Sequence, residues 1–398
     1  MQMSERISGF QASPIRRLVP YANEAKRKNI KVYHLNIGQP DIQTPLQVLE
    51  AIRNYSKKII AYGQSEGELE LRQGLQTYYR SFGVEIALDD IMITTGGSEA
   101  ILFSLMTLCD PGDEVIIPEP FYTNVGSFAR SAMVNLVPVT STMESGFALP
   151  PIESFEAKIT ERTRAILLCS PNNPTGYIFS GDEFALILDL AKRRDIFIIV
   201  DEVYREFCYD HHMFTSVLKY PEYAERVIVV DSFSKRYSMC GSRIGALVSR
   251  NHNVLEGAMK LAQARLCPPD IEQVAAIAAL QTPIDYLQEV QKEYQKRRDF
   301  IVNGLRSIEG VKCTIPNGAF YLVAKLPVDD AENFAIYLLR DFNLNGETVM
   351  VAPAEGFYVT SGLGKQEIRI AYVLNTKDLE RSLVCLEAAL KSYPGRTI

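Results

Sequence analysis

Residues 196–204, IFIIVDEVY, contain five consecutive apolar residues followed at once by two carboxylates. Since no polar residue interrupts the apolar run, a strand here is expected to be covered on both faces, as in a parallel sheet flanked by helices. Asp201 and Glu202 then follow the strand at its carboxyl end, where open α/β sheets bind their ligands. The stretch therefore predicts a fold class and also the position of a site.

Five more apolar runs follow the same pattern between about residues 90 and 249. They are IMIT at 91–94, EVII at 114–117, AILL at 165–168, VIVV at 227–230 and IGALV at 244–248. Helical stretches lie between them, such as Gly181–Arg194, which Ser180 precedes as a candidate N-cap. This alternation predicts a large α/β domain with a mainly parallel sheet flanked by helices.

The C-terminal third mixes helices with short strands, which is typical of a smaller α+β domain. Predicted helices cover residues 283–307, 331–342 and 377 onward, and predicted strands lie near 319–324, 349–352 and 367–373. The first 45 residues contain a short helix near 15–28, are too few for a domain and are assigned to the smaller one. The predicted division is 1–45 for the N-terminal arm and part of the small domain, 46–282 for the large domain and 283–398 for the small C-terminal domain.

Composition excludes several classes of function. The 398 residues carry 42 Lys+Arg against 48 Asp+Glu, a net charge of -6, which argues against a nucleic-acid partner. There is no apolar leader and no run of the roughly 20 apolar residues that span a bilayer. Seven scattered cysteines without a CxxC pair indicate reduced thiols, and four histidines without H-E-x-x-H argue against a metal site. We expect a cytoplasmic protein that binds no metal and no membrane.

Four polar segments follow apolar runs and look unsuited to packing. They are TGGSEA at 95–100, SPNNPTG at 170–176, DEVY at 201–204 and SFSK at 232–235, with Arg243 eight residues after Lys235. Taken singly, each has an ordinary explanation. Free amides at a helix start suit a phosphate, but a glycine turn with Ser98 as N-cap would give the same letters. A lone lysine is usually a surface charge, and Asp201 could merely cap the turn that follows it.

Taken in order, these motifs resemble the class I and II aminotransferases, the aspartate aminotransferase fold of pyridoxal-phosphate enzymes. The resemblance rests on NPTG, D-x-x-Y, S-x-S-K with its later arginine, and RIA at 369–371, and it extends over nearly the whole chain. It implies an aminotransferase whose large domain binds pyridoxal 5′-phosphate, with Lys235 holding the cofactor as a Schiff base and later serving as general base. The Asn173–Pro174 bond is expected to be cis.

The resemblance also implies the other cofactor contacts. They are Gly97, Ser98, Glu99, Ser232, Ser234, Arg243 and, from a second subunit, Tyr62 at the phosphate; Asp201 at the ring nitrogen; Tyr204 and Asn173 at the ring oxygen; and Tyr122 against the ring face. Because the reference pKa of lysine is about 10.4, Lys235 needs a lowered pKa to act, and Arg243 is a suitable neighbouring cation.

Substrate contacts follow from the same resemblance. Arg369 is expected to bind the α-carboxylate as a bidentate fork, with Gly38 and Asn173 beside it. The implied reaction moves an amino group from an L-amino acid to a 2-oxo acid such as 2-oxoglutarate by a ping-pong route in a homodimer. Aspartate is the first guess for the donor, ahead of alanine and aromatic amino acids. A distal carboxylate needs a second cation, for which the candidates are Arg16, Arg17 and Lys260.

Three alternatives stay open at this point. The same fold also supports a β-lyase or a decarboxylase on the same cofactor. An aminotransferase-like regulator would need a fused nucleic-acid-binding domain, whereas the enzyme pattern here starts almost at once and the net charge is negative. A nicotinamide dehydrogenase is disfavoured, because Gly96-Gly97-Ser98 lacks the G-x-G-x-x-G pattern.

Overall fold

The computed structural model describes residues 3–10 and 13–398, so the predicted N-terminal arm lies partly outside the described residues. The strands are β1 (Lys31–His34), β2 (Ile91–Thr94), β3 (Glu114–Glu119), β4 (Asn135–Thr140), β5 (Thr163–Cys169), β6 (Phe197–Asp201), β7 (Val227–Ser232), β8 (Gly245–Val248), β9 (Lys312–Cys313), β10 (Tyr321–Lys325), β11 (Glu347–Met350), β12 (Ala352–Pro353) and β13 (Glu367–Ala371).

The helices are α1 (Glu5–Ser8), α2 (Val19–Arg27), α3 (Leu46–Arg53), α4 (Leu69–Ser81), α5 (Gly96–Leu108), α6 (Asn124–Ser131), α7 (Ile152–Glu156), α8 (Gly181–Arg194), α9 (Phe233–Arg236), α10 (His252–Arg265), α11 (Asp270–Leu280), α12 (Ile284–Ser307), α13 (Ala331–Arg340) and α14 (Thr376–Ser392). The predicted N-cap of α8 is confirmed, since Ser180 Oγ accepts a hydrogen bond from the backbone of Glu183. The backbone N–H of Ser180 donates in turn to the carboxylate of Glu183, which completes a capping box.

The six apolar runs all lie in one seven-stranded sheet, in the order β2-β8-β7-β6-β5-β3-β4. Successive residues of β6 contact different apolar clusters: Ile199 belongs to one, and Ile198 and Val200 to the other. Such alternation means that both faces of the sheet are covered, as the absence of polar alternation predicted.

Two features of this sheet were not predicted. Strand β8 runs antiparallel to both β2 and β7, although its sequence is as apolar as that of its parallel neighbours. Strand β4 lies at the edge and is only partly buried, and it includes Pro138. Its proline and its partial exposure weaken the strand signal, so the sequence did not predict this strand. The mainly parallel sheet flanked by helices is nevertheless confirmed.

The smaller part of the chain combines segments from both ends. Strand β1 pairs in parallel with β11, with Lys31 opposite Glu347. A second, four-stranded sheet has the order β12-β13-β10-β9. The long helix α12 packs against α14, and α13 packs against α2. This is the predicted α+β architecture built from the N- and C-terminal segments, while the domain boundaries themselves stay a prediction.

Three global properties bear on function. Within residues 3–10 and 13–398, no helix combines the length and the apolar character that crossing a bilayer requires. The seven cysteines, all of which lie in the described part of the chain, are present as thiols without a disulfide. The described residues also contain no cluster of side chains able to hold a metal ion.

Candidate active site

The segments that follow β2, β5, β6 and β7 meet at one cavity of about 470 Å³ between the large sheet and the smaller part of the chain. Twelve of the fourteen predicted site residues line it: Gly38, Gly97, Ser98, Tyr122, Asn173, Asp201, Tyr204, Ser232, Ser234, Lys235, Arg243 and Arg369. Cavities of this volume are typical of small-molecule sites. The polar segments that the sequence singled out are therefore brought together.

One end of the cavity is built to bind an anion. Helix α5 begins there at Gly96, whose φ of 75° and whose closeness to the guanidinium of Arg243 leave no room for a side chain. Arg243 itself has φ 53°, a left-handed conformation that residues other than glycine adopt rarely. Its Nη1 donates to Ser234 Oγ at 3.3 Å, and Ser232 Oγ donates to Ser234 Oγ at 2.9 Å. Helix amides, two hydroxyls and a guanidinium thus face the same space.

Lys235 projects from the short helix α9 into the middle of the cavity. Its Nζ donates to the carbonyl of Gly38 at 2.9 Å and lies 3.7 Å from Cys240 Sγ. Burial lowers the pKa of Lys235, but Tyr321, Cys240 and Tyr122 outweigh that effect, so the pKa lies above its usual value. The expectation that Arg243 lowers this pKa is wrong, because its guanidinium points to Ser234 and the start of α5 instead.

Asp201 ends β6 and is almost completely buried. Burial raises its pKa from 3.8 to about 7, while the backbone N–H of Val203, which donates to Asp201 Oδ1 at 3.2 Å, acts in the opposite direction. Asp201 makes no ion pair within residues 3–10 and 13–398, and the more distant Lys235 and Arg205 lower its pKa less than burial raises it, so this carboxyl group is suited to a positively charged ligand group.

Arg369 lies on β13 and is buried, although a strand arginine is usually exposed. Its Nη1 donates to Asn173 Oδ1 at 3.3 Å and its Nη2 donates to the carbonyl of Asn36. Its Nε has no hydrogen-bond partner among the described residues, and burial lowers its pKa. The Asn173–Pro174 peptide beside it is cis, as predicted. A buried guanidinium with unused donors is suited to an anionic ligand.

Tyr122 lines the cavity wall and accepts a hydrogen bond from Asn124 Nδ2 at 2.8 Å. Burial raises the pKa of Tyr122, so its phenol stays neutral at physiological pH. It provides an aromatic surface at the position where the sequence predicted stacking.

Glu99 and Tyr62 are the two predicted residues that do not line the cavity. The carboxylate of Glu99 accepts a hydrogen bond from the Thr95 backbone at 2.7 Å and lies 3.5 Å from Arg265. Tyr62 is 80% exposed and lies near the exposed Ile59 and Ile60. Its predicted contact with the phosphate site of a second subunit stays a prediction.

Two further residues of the cavity wall, Tyr321 and Cys240, carry chemistry that the sequence did not predict. Tyr321 begins β10, and Cys240 lies beside Lys235. Arg16, which was one of three candidate cations, also lines the cavity and makes no ion pair or side-chain hydrogen bond within the described ranges. Arg17 instead pairs with Glu332. Tyr321 and Arg16 come from segments distant in sequence from Lys235, and no motif contains them, whereas Cys240 lies between Lys235 and Arg243 without being one of the motif residues.

Behind the cavity lies a chain of five buried or half-buried charges of alternating sign. Glu202 contacts Arg205 at 3.2 Å, and Arg205 contacts Asp231 at 3.3 Å. Asp231 pairs in turn with Arg236, which contacts Glu206 at 3.1 Å. In the sequence, these charged residues lie among the residues that face the cavity. The same segments therefore carry the site on one side and the ion pairs on the other. The network fixes the turn after β6 to helix α9.

A mainly parallel sheet whose end carries Lys235, Asp201 and Arg243 at a cavity, with Arg369 of β13 facing the same cavity, defines an α/β enzyme with a small-molecule site. The family model described as aminotransferase class I and II matches residues 30–385. The chain therefore belongs to the class I and II aminotransferase family, and it is a transaminase.

Individual relatives agree with this assignment. The aspartate aminotransferase of Rhizobium meliloti is 32% identical over 98% of this chain and 96% of its own length. Among solved structures, the aspartate aminotransferase of Thermotoga maritima superposes with a TM-score of 0.89 at 31% identity, covering 98% of this chain and 100% of that one. The alanine aminotransferase of Pyrococcus furiosus gives a TM-score of 0.88 at 32% identity with the same coverage.

Proposed function

We propose that this aminotransferase works with pyridoxal 5′-phosphate bound covalently to Lys235 and moves an amino group from an L-amino acid to a 2-oxo acid by a ping-pong route. The observation that carries the proposal is the meeting of Lys235, Asp201, Arg243 and Arg369 in one cavity of about 470 Å³. Each of the four charges matches one part of the cofactor or the substrate.

The donor set fits the cofactor. In the proposal, its phosphate binds the amides at the start of α5, at Gly97, Ser98 and Glu99, with Ser232, Ser234 and Arg243, and with Tyr62 of a second subunit. The closeness of Arg243 to Gly96 supports an anion site here, because a guanidinium and free helix amides both seek negative charge. Tyr122 would cover one face of the ring, and Tyr204 and Asn173 would bond the ring oxygen.

Asp201 would pair with the ring nitrogen. Its pKa of about 7 means that the carboxyl of the cofactor-free protein carries a proton about half of the time at neutral pH. A basic ring nitrogen beside it could take that proton and would leave a buried ion pair. When bound, the cofactor supplies an electron-accepting ring that stabilises the negative charge left when the substrate Cα–H bond breaks.

Lys235 would have two successive tasks. It first anchors the cofactor through Nζ, and after the substrate amine has displaced it, Nζ accepts the proton from the substrate Cα. Its hydrogen bond to the Gly38 carbonyl keeps Nζ at the centre of the cavity.

Arg369 would hold the substrate α-carboxylate. Its unused Nε and its lowered pKa both indicate a buried cation that a bound carboxylate would stabilise. Asn173, which accepts from Nη1, fixes the plane of the guanidinium, and Gly38 brings its backbone alongside. Because every amino acid has an α-carboxylate, this contact binds the substrate class and does not select the side chain.

Aspartate is the proposed first donor, and 2-oxoglutarate the proposed acceptor. Both carry a distal carboxylate, which needs a second cation at the cavity. Arg16 meets that need, since it lines the cavity and has no other partner in the part of the chain that the structure describes. Arg17 is held by Glu332, and Lys260 lies on α10 away from the cavity lining.

The proposed working unit is a cytoplasmic homodimer. Tyr62 and its neighbours Ile59 and Ile60 are 80%, 79% and 62% exposed, and apolar side chains so exposed in one segment are usually covered by a partner. A second copy of the chain would bury them and bring Tyr62 to the phosphate site of its neighbour.

A donor screen tests the proposal. The holoprotein is incubated with single amino acids and 2-oxoglutarate, and glutamate formation is measured. We expect aspartate to give the highest kcat/KM, parallel lines in double-reciprocal plots, and no turnover by Lys235→Ala. Breakdown of the amino acid to ammonia or CO₂ without need for 2-oxoglutarate would instead identify a lyase or a decarboxylase.

A further inference from the structure

Tyr321 lies between a residue proposed to bind the cofactor and a residue proposed to bind the substrate. It is the first residue of β10, it is almost fully buried, and it lines the active-site cavity. Its neighbours include the partner proposed for the cofactor ring oxygen, Tyr204, and the arginine proposed for the substrate carboxylate, Arg369. No motif in the sequence pointed to it.

The hydroxyl group of Tyr321 is in contact with Tyr204. The two phenol oxygens are 2.9 Å apart, and the rings meet edge to face at 5.5 Å between centroids. Each phenol has one proton, so when Tyr321 donates to Tyr204, the proton of Tyr204 is free to point into the cavity. A hydrogen bond received by Tyr204 also makes it a stronger donor, since such bonds polarise one another.

The ring of Tyr321 is in contact with Arg369. The guanidinium lies 4.6 Å from the ring centroid, and the ring of Phe357 is 5.3 Å away. A cation held over an aromatic face in a desolvated site is attracted to it, which holds the fork in place before a carboxylate arrives. Gly38 lies against the Tyr321 hydroxyl so closely that no side chain could fit there.

We propose that Tyr321 is a positioning residue with two separable tasks: its hydroxyl orients the hydroxyl of Tyr204, and its ring holds the guanidinium of Arg369. The inference rests on the proposed function, because it assigns Tyr204 to the cofactor and Arg369 to the substrate. One side chain then positions both Tyr204 and Arg369, so the cofactor and the substrate are held in a fixed relative orientation.

Two substitutions separate the tasks. Tyr321→Phe removes only the hydroxyl, and Tyr321→Met keeps most of the bulk but removes the aromatic face. Tyr372→Phe is the matched control, because Tyr372 is equally buried, donates to the carbonyl of Ala319 at 3.2 Å and does not line the cavity. Melting temperatures establish that each variant is folded.

The first readout is the pH titration of the visible absorption of the holoprotein, which does not depend on turnover. In Tyr321→Phe, Tyr204 donates less strongly, so the chromophore should hold its proton more tightly and its apparent pKa should rise by about half a unit or more. The kcat should fall about three- to tenfold and the KM for the donor should change less than about twofold. Tyr372→Phe should match the unaltered protein in all three measurements.

The second readout is the KM for the amino donor in Tyr321→Met. Loss of the aromatic face should raise it about three- to thirtyfold above the value of Tyr321→Phe. An unchanged chromophore pKa in Tyr321→Phe would overturn the proposal that the Tyr321 hydroxyl orients Tyr204. A raised KM in the same variant would overturn the separation of the two tasks, and this test does not require Tyr321→Met to fold. An unaltered protein that forms no chromophore with pyridoxal phosphate would contradict the proposed function itself, which is a different result.

Discussion

Replacing Asp201 with asparagine should stabilise the cofactor-free protein against unfolding. The same substitution should remove most of the activity of the holoprotein. Burial raises the pKa of Asp201 from 3.8 to about 7. The unfolded chain therefore ionises this carboxyl above about pH 4, whereas the folded protein resists ionisation until about pH 7. As the pH rises between these values the folded state loses stability, to a limit of about 4 kcal/mol for three pH units.

Asparagine has no proton to lose, and its side-chain oxygen can still accept from the Val203 backbone as Asp201 does. The difference in the free energy of unfolding between Asp201→Asn and the unaltered protein should therefore grow by about 3 kcal/mol, in favour of the variant, from pH 5 to pH 8. At the same time, kcat should fall on the order of a hundredfold or more, because the charge beside the ring nitrogen is lost.

Denaturant unfolding of both cofactor-free proteins at pH 5 and pH 8 measures the stability difference, and the comparison at pH 5 serves as the internal control. If the difference between variant and unaltered protein were the same at both pH values, Asp201 would not carry a raised pKa in the folded state. The explanation of how the site holds its proton would then be wrong.

Three further experiments test the other assignments. Arg369→Leu should raise the KM for every donor and lower kcat/KM by a factor that corresponds to about 2–4 kcal/mol of transition-state binding. An unchanged kcat/KM would show that the carboxylate binds elsewhere. Arg16→Gln should lower kcat/KM for aspartate about tenfold or more and leave alanine within about twofold, while an equal loss for both would remove Arg16 from side-chain selection. Mixing inactive Tyr62 and Lys235 variants should restore activity through hybrid dimers, and a strictly monomeric active protein in sedimentation would rule this out.

Much of the fold was predictable because long apolar runs in a chain of this size have few alternatives. The run before Asp201 could only be a strand covered on both faces, and it forms β6 at the centre of the sheet. The direction of β8 was not predictable, since an apolar run of this kind does not specify whether the chain enters the sheet from one end or the other. The edge strand β4 was missed because its partial exposure weakens the pattern.

The site was predictable where its residues belong to recognisable motifs, and Tyr321 was not predictable because no motif contains it. Lys235, Asp201 and Asn173 belong to motifs at strand ends, and all three line the cavity. Arg16 and Tyr321 reach the same cavity from a turn near the N-terminus and from a strand of the smaller part, and only the folded chain brings them there. The direction of the Lys235 pKa shift depended on such neighbours, so the sequence predicted it wrongly.

The most direct test of the central claim is the position of the covalent bond to the cofactor. The holoprotein is reduced with borohydride and digested, and the peptides are sequenced by mass spectrometry. We predict a single pyridoxyl-modified residue, Lys235, and no stable adduct in Lys235→Ala under the same treatment. A modified residue elsewhere in the unaltered protein, or an adduct on the same peptide in the variant, would contradict the assignment of the site.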